Sequence, residues 1–150
     1  MIATTSFLMN KNVVKIEQVN WQDAEAELRD IRTTVFIEEQ SVPEDLEWDE
    51  YDESGIHVLA KIENKAIATG RLLHTGQVGR MAVLKLYRKQ GVGSKIIKEI
   101  LSIADKMQMN IVFLHSQVDA IAFYQKFGFE EEGGVFDDAG IPHKKMIMRN

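Results

Sequence analysis

Residues 88–94 read Arg-Lys-Gln-Gly-Val-Gly-Ser, and their position decides how the rest of the chain is read. They follow a strand-like run, Gln77 to Leu84, and open a run with helical spacing, Gly91 to Met107. A basic turn with two glycines at the start of a helix is suited to a pyrophosphate. Glycine lets the backbone approach the anion, and the first N–H groups of the helix point at it with the helix dipole behind them. Arg88 and Lys89 add countercharge. A P-loop would need GxxxxGK followed by Ser or Thr, which the chain lacks, and a dinucleotide fingerprint would need a third glycine where Ile96 stands. What remains is RxxGxG preceded by Arg-Met-Ala-Val at 80–83. By itself it also fits a helix start whose glycines serve close packing.

Composition narrows the classes. A chain of 150 residues is long enough for one domain, 1–150, burying roughly two thirds of its unfolded surface. A net charge of −5 argues against nucleic acid as a partner, since a phosphate backbone is usually met by a basic face. No apolar stretch approaches the ~20 residues needed to span a membrane. Residues 1–10 lack the cationic lead of a signal peptide and read as a flexible leader. A cytoplasmic address is the default expectation. With no cysteine, disulfides, thiol nucleophiles and Cys-based zinc sites are excluded, and no metal site is expected.

Periodicity supplies the elements around the turn. Asn12 to Val19 alternates like a first strand, and Asn20 is placed to cap a helix with Asp23 in its first turn. Trp21, Ala24, Leu28, Ile31 and Val35 share one helical face, and Pro43 stops that helix or a short successor at Val35 to Gln40. His57 to Glu63, Ala66 to His74 and Gln77 to Leu84 read as a three-strand meander with turns at Asn64-Lys65 and Thr75-Gly76. The wide stripe of Val92, Ile96, Ile97, Ile100 and Ile103 marks the long helix. Ile111 to Leu114 reads as a strand covered on both faces. A helix over Val118 to Phe127, ended by Gly128, precedes two last strands, Phe129 to Glu132 and Lys145 to Arg149. Gly133-Gly134 and Asp138 to Pro142 read as loops.

This order of elements, Arg-Met-Ala-Val on the fourth strand, RKQGVG at the long helix and Ala-Ile-Ala-Phe-Tyr-Gln-Lys-Phe-Gly-Phe at 120–129 together resemble the GNAT superfamily of N-acetyltransferases. The segments Val35 to Pro43 and Asp137 to Met146 are similar to small bacterial ElaA-like and YjcF-like members. The resemblance implies an α/β fold: a mixed, mostly antiparallel sheet of six or seven strands, about four helices, and a V-shaped splay between strands 4 and 5. It implies acetyl-CoA as cosubstrate. Met81, Ala82 and Val83 would meet its pantetheine arm, and Arg88, Lys89, Gln90, Gly91, Val92, Gly93 and Ser94 its pyrophosphate. A main-chain N–H near Met81 would polarise the thioester carbonyl. Tyr124 stands at the family's general-acid position; outside that context its ring could simply pack in the core. Relatives often carry Asn where Asp119 stands to bond pantetheine; an ionised Asp cannot donate, so Gln117 is the alternative contact. Relatives also often pair as homodimers.

The acceptor amine, a small molecule or a peptide, is not legible. Between Glu38 and Glu53 lie nine acidic residues and no basic one. They would attract a cationic amine, or simply form a solvated acidic loop. An attacking amine must lose a proton, directly or through water. Glu39 and His143 are the favoured candidates; His57 and His115, on predicted strands, read more readily as structural. Two other activities stay open. Arg32, Phe36, Trp48 and the Glu-x-Asp-x-x-Asp run at 47–52 are similar to a pattern of acyl-homoserine-lactone synthases, and a non-catalytic acyl-CoA sensor would keep the same turn.

Overall fold

The computed structural model describes residues 13–149, so the leader reading and the start of the first predicted strand at Asn12 lie outside it. Its elements are β1 (Lys15–Val19), α1 (Trp21–Arg32), a π-helical turn (Thr33–Glu39), α2 (Glu44–Glu47), β2 (Ile56–Ile62), β3 (Lys65–Leu72), β4 (Gln77–Val83), α3 (Val92–Lys106), β5 (Ile111–Gln117), α4 (Ile121–Gln125), β6 (Glu130–Asp138) and β7 (Ile141–Arg149). Asn20 caps α1 as its sequence suggests, its side-chain oxygen accepting from the Asp23 N–H at 2.8 Å.

Seven strands form one sheet in the order β1-β2-β3-β4-β5-β7-β6. Only β4 and β5 run parallel; the other neighbours are antiparallel. The sheet is covered on both sides because successive residues of β2 and β3 point to opposite faces. Val58 joins the α3 side with Ile67, Leu72, Ile96 and Ile100. Leu59 joins the α1 side with Trp21, Leu28, Ile31 and Ala82. At Gly70 helix and sheet come so close that a Cβ would fall 2.7–2.8 Å from Met81, Ile96 and Ile100 side-chain atoms. Truncating a fully buried residue such as Ile100 would cost about 2–5 kcal/mol.

The fold has the expected mixed α/β layout, and four readings change. The helix after α1 continues it as a π-helical turn, which shifts the angle at which Glu39 and Gln40 leave the helix. The Val118 to Phe127 helix is shorter, a 3₁₀ turn over Val118–Ala120 followed by α4. β5 is covered on one face only, with Val112, Leu114 and Ser116 buried and Ile111 and His115 outward. Gly133-Gly134 is not a loop but lies inside β6 at a register shift, so the hairpin turns instead at Ala139-Gly140 and His143 stands on a strand. Short polar residues with glycine fit a bulge as well as a loop, which is why the sequence pattern does not separate the two. β6 is the outer strand of the sheet, and all nine of its residues are exposed.

Candidate active site

The site begins where two strands part. β4 pairs with β5 only at Gln77 with Phe113 and Val78 with Leu114. Beyond Val78 the strands diverge. On its other side β4 carries an extra residue, because Arg71 pairs with Gly79 but Thr69 pairs with Ala82. The bulge puts Arg80 at φ +51°, a left-handed conformation unusual for a side chain of its size. Its guanidinium donates to the Glu47 carbonyl at 3.0 and 3.2 Å and to Asp49 Oδ2 at 3.2 Å. Arg80 and Met81 have no registered partner on either neighbouring strand, so their main-chain groups lie at the open part of the V.

One cleft runs from the V to the glycine turn. It is lined by Met81, Ala82, Val83, Tyr87, Arg88, Lys89, Gly91, Val92, Gly93, Ser94, Phe123 and Tyr124, with a volume of about 460 Å³. Lys89 and Gly91 are both left-handed, at φ +62° and +80°, and this double bend throws the chain into α3. The first helical amide bond goes from the Lys95 N–H to the Gly91 carbonyl at 3.1 Å. The N–H groups of Val92, Gly93 and Ser94 therefore find no acceptor within the helix. Gln90 does not line the cleft; its amide bonds the Leu86 carbonyl at 3.1 Å. Arg88 is already engaged, its Nε to the Val83 carbonyl and its Nη2 to Glu39 Oε1, each at 2.8 Å.

The second cleft, about 250 Å³, lies on the other side of the V. Phe36, Val42, Leu46, Val78 and Leu114 give it apolar walls, while Arg80, His115, Gln117, Asp138 and His143 bring polar groups. Gln40, Met81, Ala120 and Tyr124 line both clefts and mark their junction. Gln40 and Gln117 exchange side-chain amide bonds at 2.9 and 3.4 Å across that junction. Tyr124 is 8% exposed. Burial pushes its phenol well above the ordinary range, so it holds its proton and acts as a donor.

His143 approaches the Ile141 carbonyl with Nδ1 at 2.7 Å. A carbonyl only accepts, so Nδ1 carries the hydrogen and Nε2 of the neutral ring keeps its lone pair. Phe136 stacks on His143 and meets His115 edge-on. Burial lowers the pKa of His115, with Asp138 pulling the other way. Glu39 lines neither cleft and Asp119 is exposed outside both. His57 is buried against α1, its Nε2 2.8 Å from the Asp52 carbonyl.

Six of the nine acids of the run are exposed, as a solvated loop would have them, but Glu47, Asp49 and Asp52 are organised in one largely buried ion network, which sequence reasoning missed. Arg32 donates to Glu47 and Asp52 carboxylates, each at 2.7 Å. Arg71 bonds Asp49 at 2.7 Å and Asp52 at 2.8 Å. Trp48 covers Arg29 and Arg32 at 4.6 and 5.0 Å. Burial alone would raise Asp52, but the hydrogen bond and charge of Arg32 outweigh it and leave its carboxyl below the usual range. Among the described buried side-chain nitrogens and oxygens, only Arg71 Nε lacks a hydrogen-bond partner. The Arg32 and Arg71 positions carry no local signal that they would meet residues 47–52. Among the described residues no group of metal-ligating side chains is assembled, and no helix is long and apolar enough to cross a membrane.

A sheet split between parallel strands at a bulge, with a glycine turn and helix start facing the split, is the architecture of an acetyltransferase. The chain belongs to the GNAT acetyltransferases: residues 17–150 match the acetyltransferase (GNAT) domain. YyaT of Bacillus subtilis is 40% identical over 129 residues, covering 80% of this chain and 87% of its own. The YjcF N-acetyltransferase of the same organism is 35% identical over 133 residues, 82% of this chain and 93% of its own. The crystal structure of Escherichia coli ElaA shares the fold, with a TM-score of 0.83 at 23% identity over 91% of this chain and 100% of that one. The ElaA-like and YjcF-like resemblance of the sequence is thus met by relatives of both kinds.

Proposed function

We propose that the protein transfers acetyl from acetyl-CoA directly to a primary amine within a ternary complex. The observation that carries this reading is the meeting of the two clefts at Met81 and Tyr124. The glycine-turn cleft, with unbonded N–H groups and Lys89, suits the diphosphate and pantetheine of the donor. The opposite cleft suits the acceptor.

Each role follows from its position. Main-chain N–H groups at the bulge, released from strand pairing, would stabilise the oxyanion as the amine nitrogen bonds the carbonyl carbon. His143 Nε2 would take the amine proton, directly or through one water. Glu39 is not favoured as the base because it lines neither cleft and holds Arg88. As the carbon–sulfur bond breaks, the Tyr124 hydroxyl would donate its proton to the leaving sulfur and be reprotonated from solvent. Of the pattern shared with acyl-homoserine-lactone synthases, Arg32 bonds Glu47 and Asp52 and Arg71 bonds Asp49, which accounts for these charged residues without a substrate, while Phe36 lines the second cleft.

The test is acetyl-CoA with an amine panel, read as thiol release and product mass. Tyr124→Phe is expected to lower turnover about a hundredfold with coenzyme A affinity within twofold of wild type. Unchanged turnover would remove the acid role. Tight acetyl-CoA binding with no thiol release from any amine would leave a sensor, and no binding at all would end the proposal.

A further inference from the structure

Resting on the reading of the second cleft as the acceptor site, we propose that the acceptor is a diamine or polyamine whose remote ammonium is held by Asp138. The charged side chains lining that cleft are Glu47, Arg80 and Asp138. Two of them are engaged with protein partners. Glu47 binds Arg32 at 2.7 Å and Arg80 at 3.2 Å, and Arg80 is further tied to Asp49. The Asp138 carboxylate forms no hydrogen bond or ion pair with any described residue, and its charge acts on His115.

Asp138 ends β6 opposite Ile141 in the hairpin, on the same wall as His143. The cleft therefore presents a carboxylate and the imidazole lone pair of His143 on one wall, with Phe36, Val42 and Leu46 among its apolar lining. That combination fits a methylene chain with an amine at each end. One amine, neutral, faces His143 and Tyr124; the other, charged, gains a charge-assisted hydrogen bond from Asp138. An acceptor bearing a carboxylate is not favoured, because Arg80, the lining arginine, donates to Glu47 and Asp49.

The experiment compares 1,4-diaminobutane with butylamine, equal in chain length and different only in the second ammonium. Wild-type protein is expected to prefer the diamine by about tenfold in kcat/KM, and the preference should shrink as salt rises. Asp138→Asn should bring the ratio close to one, whereas Asp137→Asn, whose carboxylate accepts from the Gly140 N–H, should retain it. Equal use of the two amines by wild type, or a preference that survives Asp138→Asn, overturns the proposal. Calorimetry of diaminobutane with the coenzyme A-loaded protein separates this from the proposed chemistry. Binding that is lost in Asp138→Asn supports the site even if no acetyl group moves, and binding unaffected by the change, or absent in wild type, refutes it.

Discussion

The two clefts on either side of the V are built in different ways. The glycine-turn cleft comes largely from one continuous stretch, Met81 to Ser94, and its polar groups are chiefly main-chain N–H at a double left-handed bend. The opposite cleft draws side chains from the π-helical turn, α2, β4, β5 and the β6–β7 hairpin. Its wall is tied into a network of three arginines and three carboxylates, of which Arg32, Arg71, Glu47 and Asp52 are buried. A site made of backbone tolerates side-chain change and depends on a few conformations. A site made of distant side chains can be altered one residue at a time, at the risk of its support.

Breaking that support should have the largest effect. Arg32→Met leaves Glu47 and Asp52 without their shared donor, and removing one member of a buried ion pair costs about 3–5 kcal/mol. Denaturant unfolding should show this loss, and the folded fraction should still bind coenzyme A. A loss below 1 kcal/mol would mean that the network does not carry the wall. Its pH response combines opposing shifts: Glu47, raised by burial, favours folding as pH falls, and two other groups act the other way. Asp52 is depressed by Arg32, and buried His57 is depressed by desolvation. A depressed group contributes stability above its unfolded pKa, about 6.5 for His and 3.9 for Asp, which is lost as pH falls. The melting temperature should be flat above neutrality and fall on acidification, first through His57; His57→Gln should flatten the upper part of that fall. A rise as pH falls through the His57 range, near 6.5, would contradict the His57 assignment.

On the other side of the V, Arg88→Ala should weaken coenzyme A about tenfold and leave the folding midpoint nearly unchanged, by calorimetry and thermal melting. Equal affinity would move the diphosphate away from Arg88. The smallest effect is expected for Glu39→Gln. It frees Arg88 from its 2.8 Å partner, so coenzyme A should bind a few-fold tighter, by roughly 0.5–1 kcal/mol for a partly exposed ion pair. A hundredfold loss of turnover instead would assign Glu39 to proton transfer and blur the contrast between the clefts.

The same contrast explains what the sequence revealed. RKQGVGS is legible because backbone geometry and local spacing are one and the same there. α1 and α3 follow directly from their apolar stripes and from the Asn20 cap. The acceptor side was only partly legible. His143 could be singled out by its segment, but its tautomer depends on the Ile141 carbonyl, a contact made by the strand rather than by the expected loop. Asp138 gives no sign in one dimension that it will face His115. The nine acids of 38–53 look alike in sequence, yet Asp52 is buried between two arginines and Glu53 stays exposed. Likewise Gln40 and Gln117 are 77 positions apart and meet only because β5 returns beside β4.

The unpaired rim of the sheet has its own consequence. Were two copies to join edge to edge through antiparallel β6 strands centred on Gly134, Glu130 would oppose Asp138 and Glu131 would oppose Asp137. Like charges facing each other across a ladder repel, and the glycine kink at 133–134 would spoil the alignment as well. In that register the acidic margin would oppose growth into a continuous ribbon.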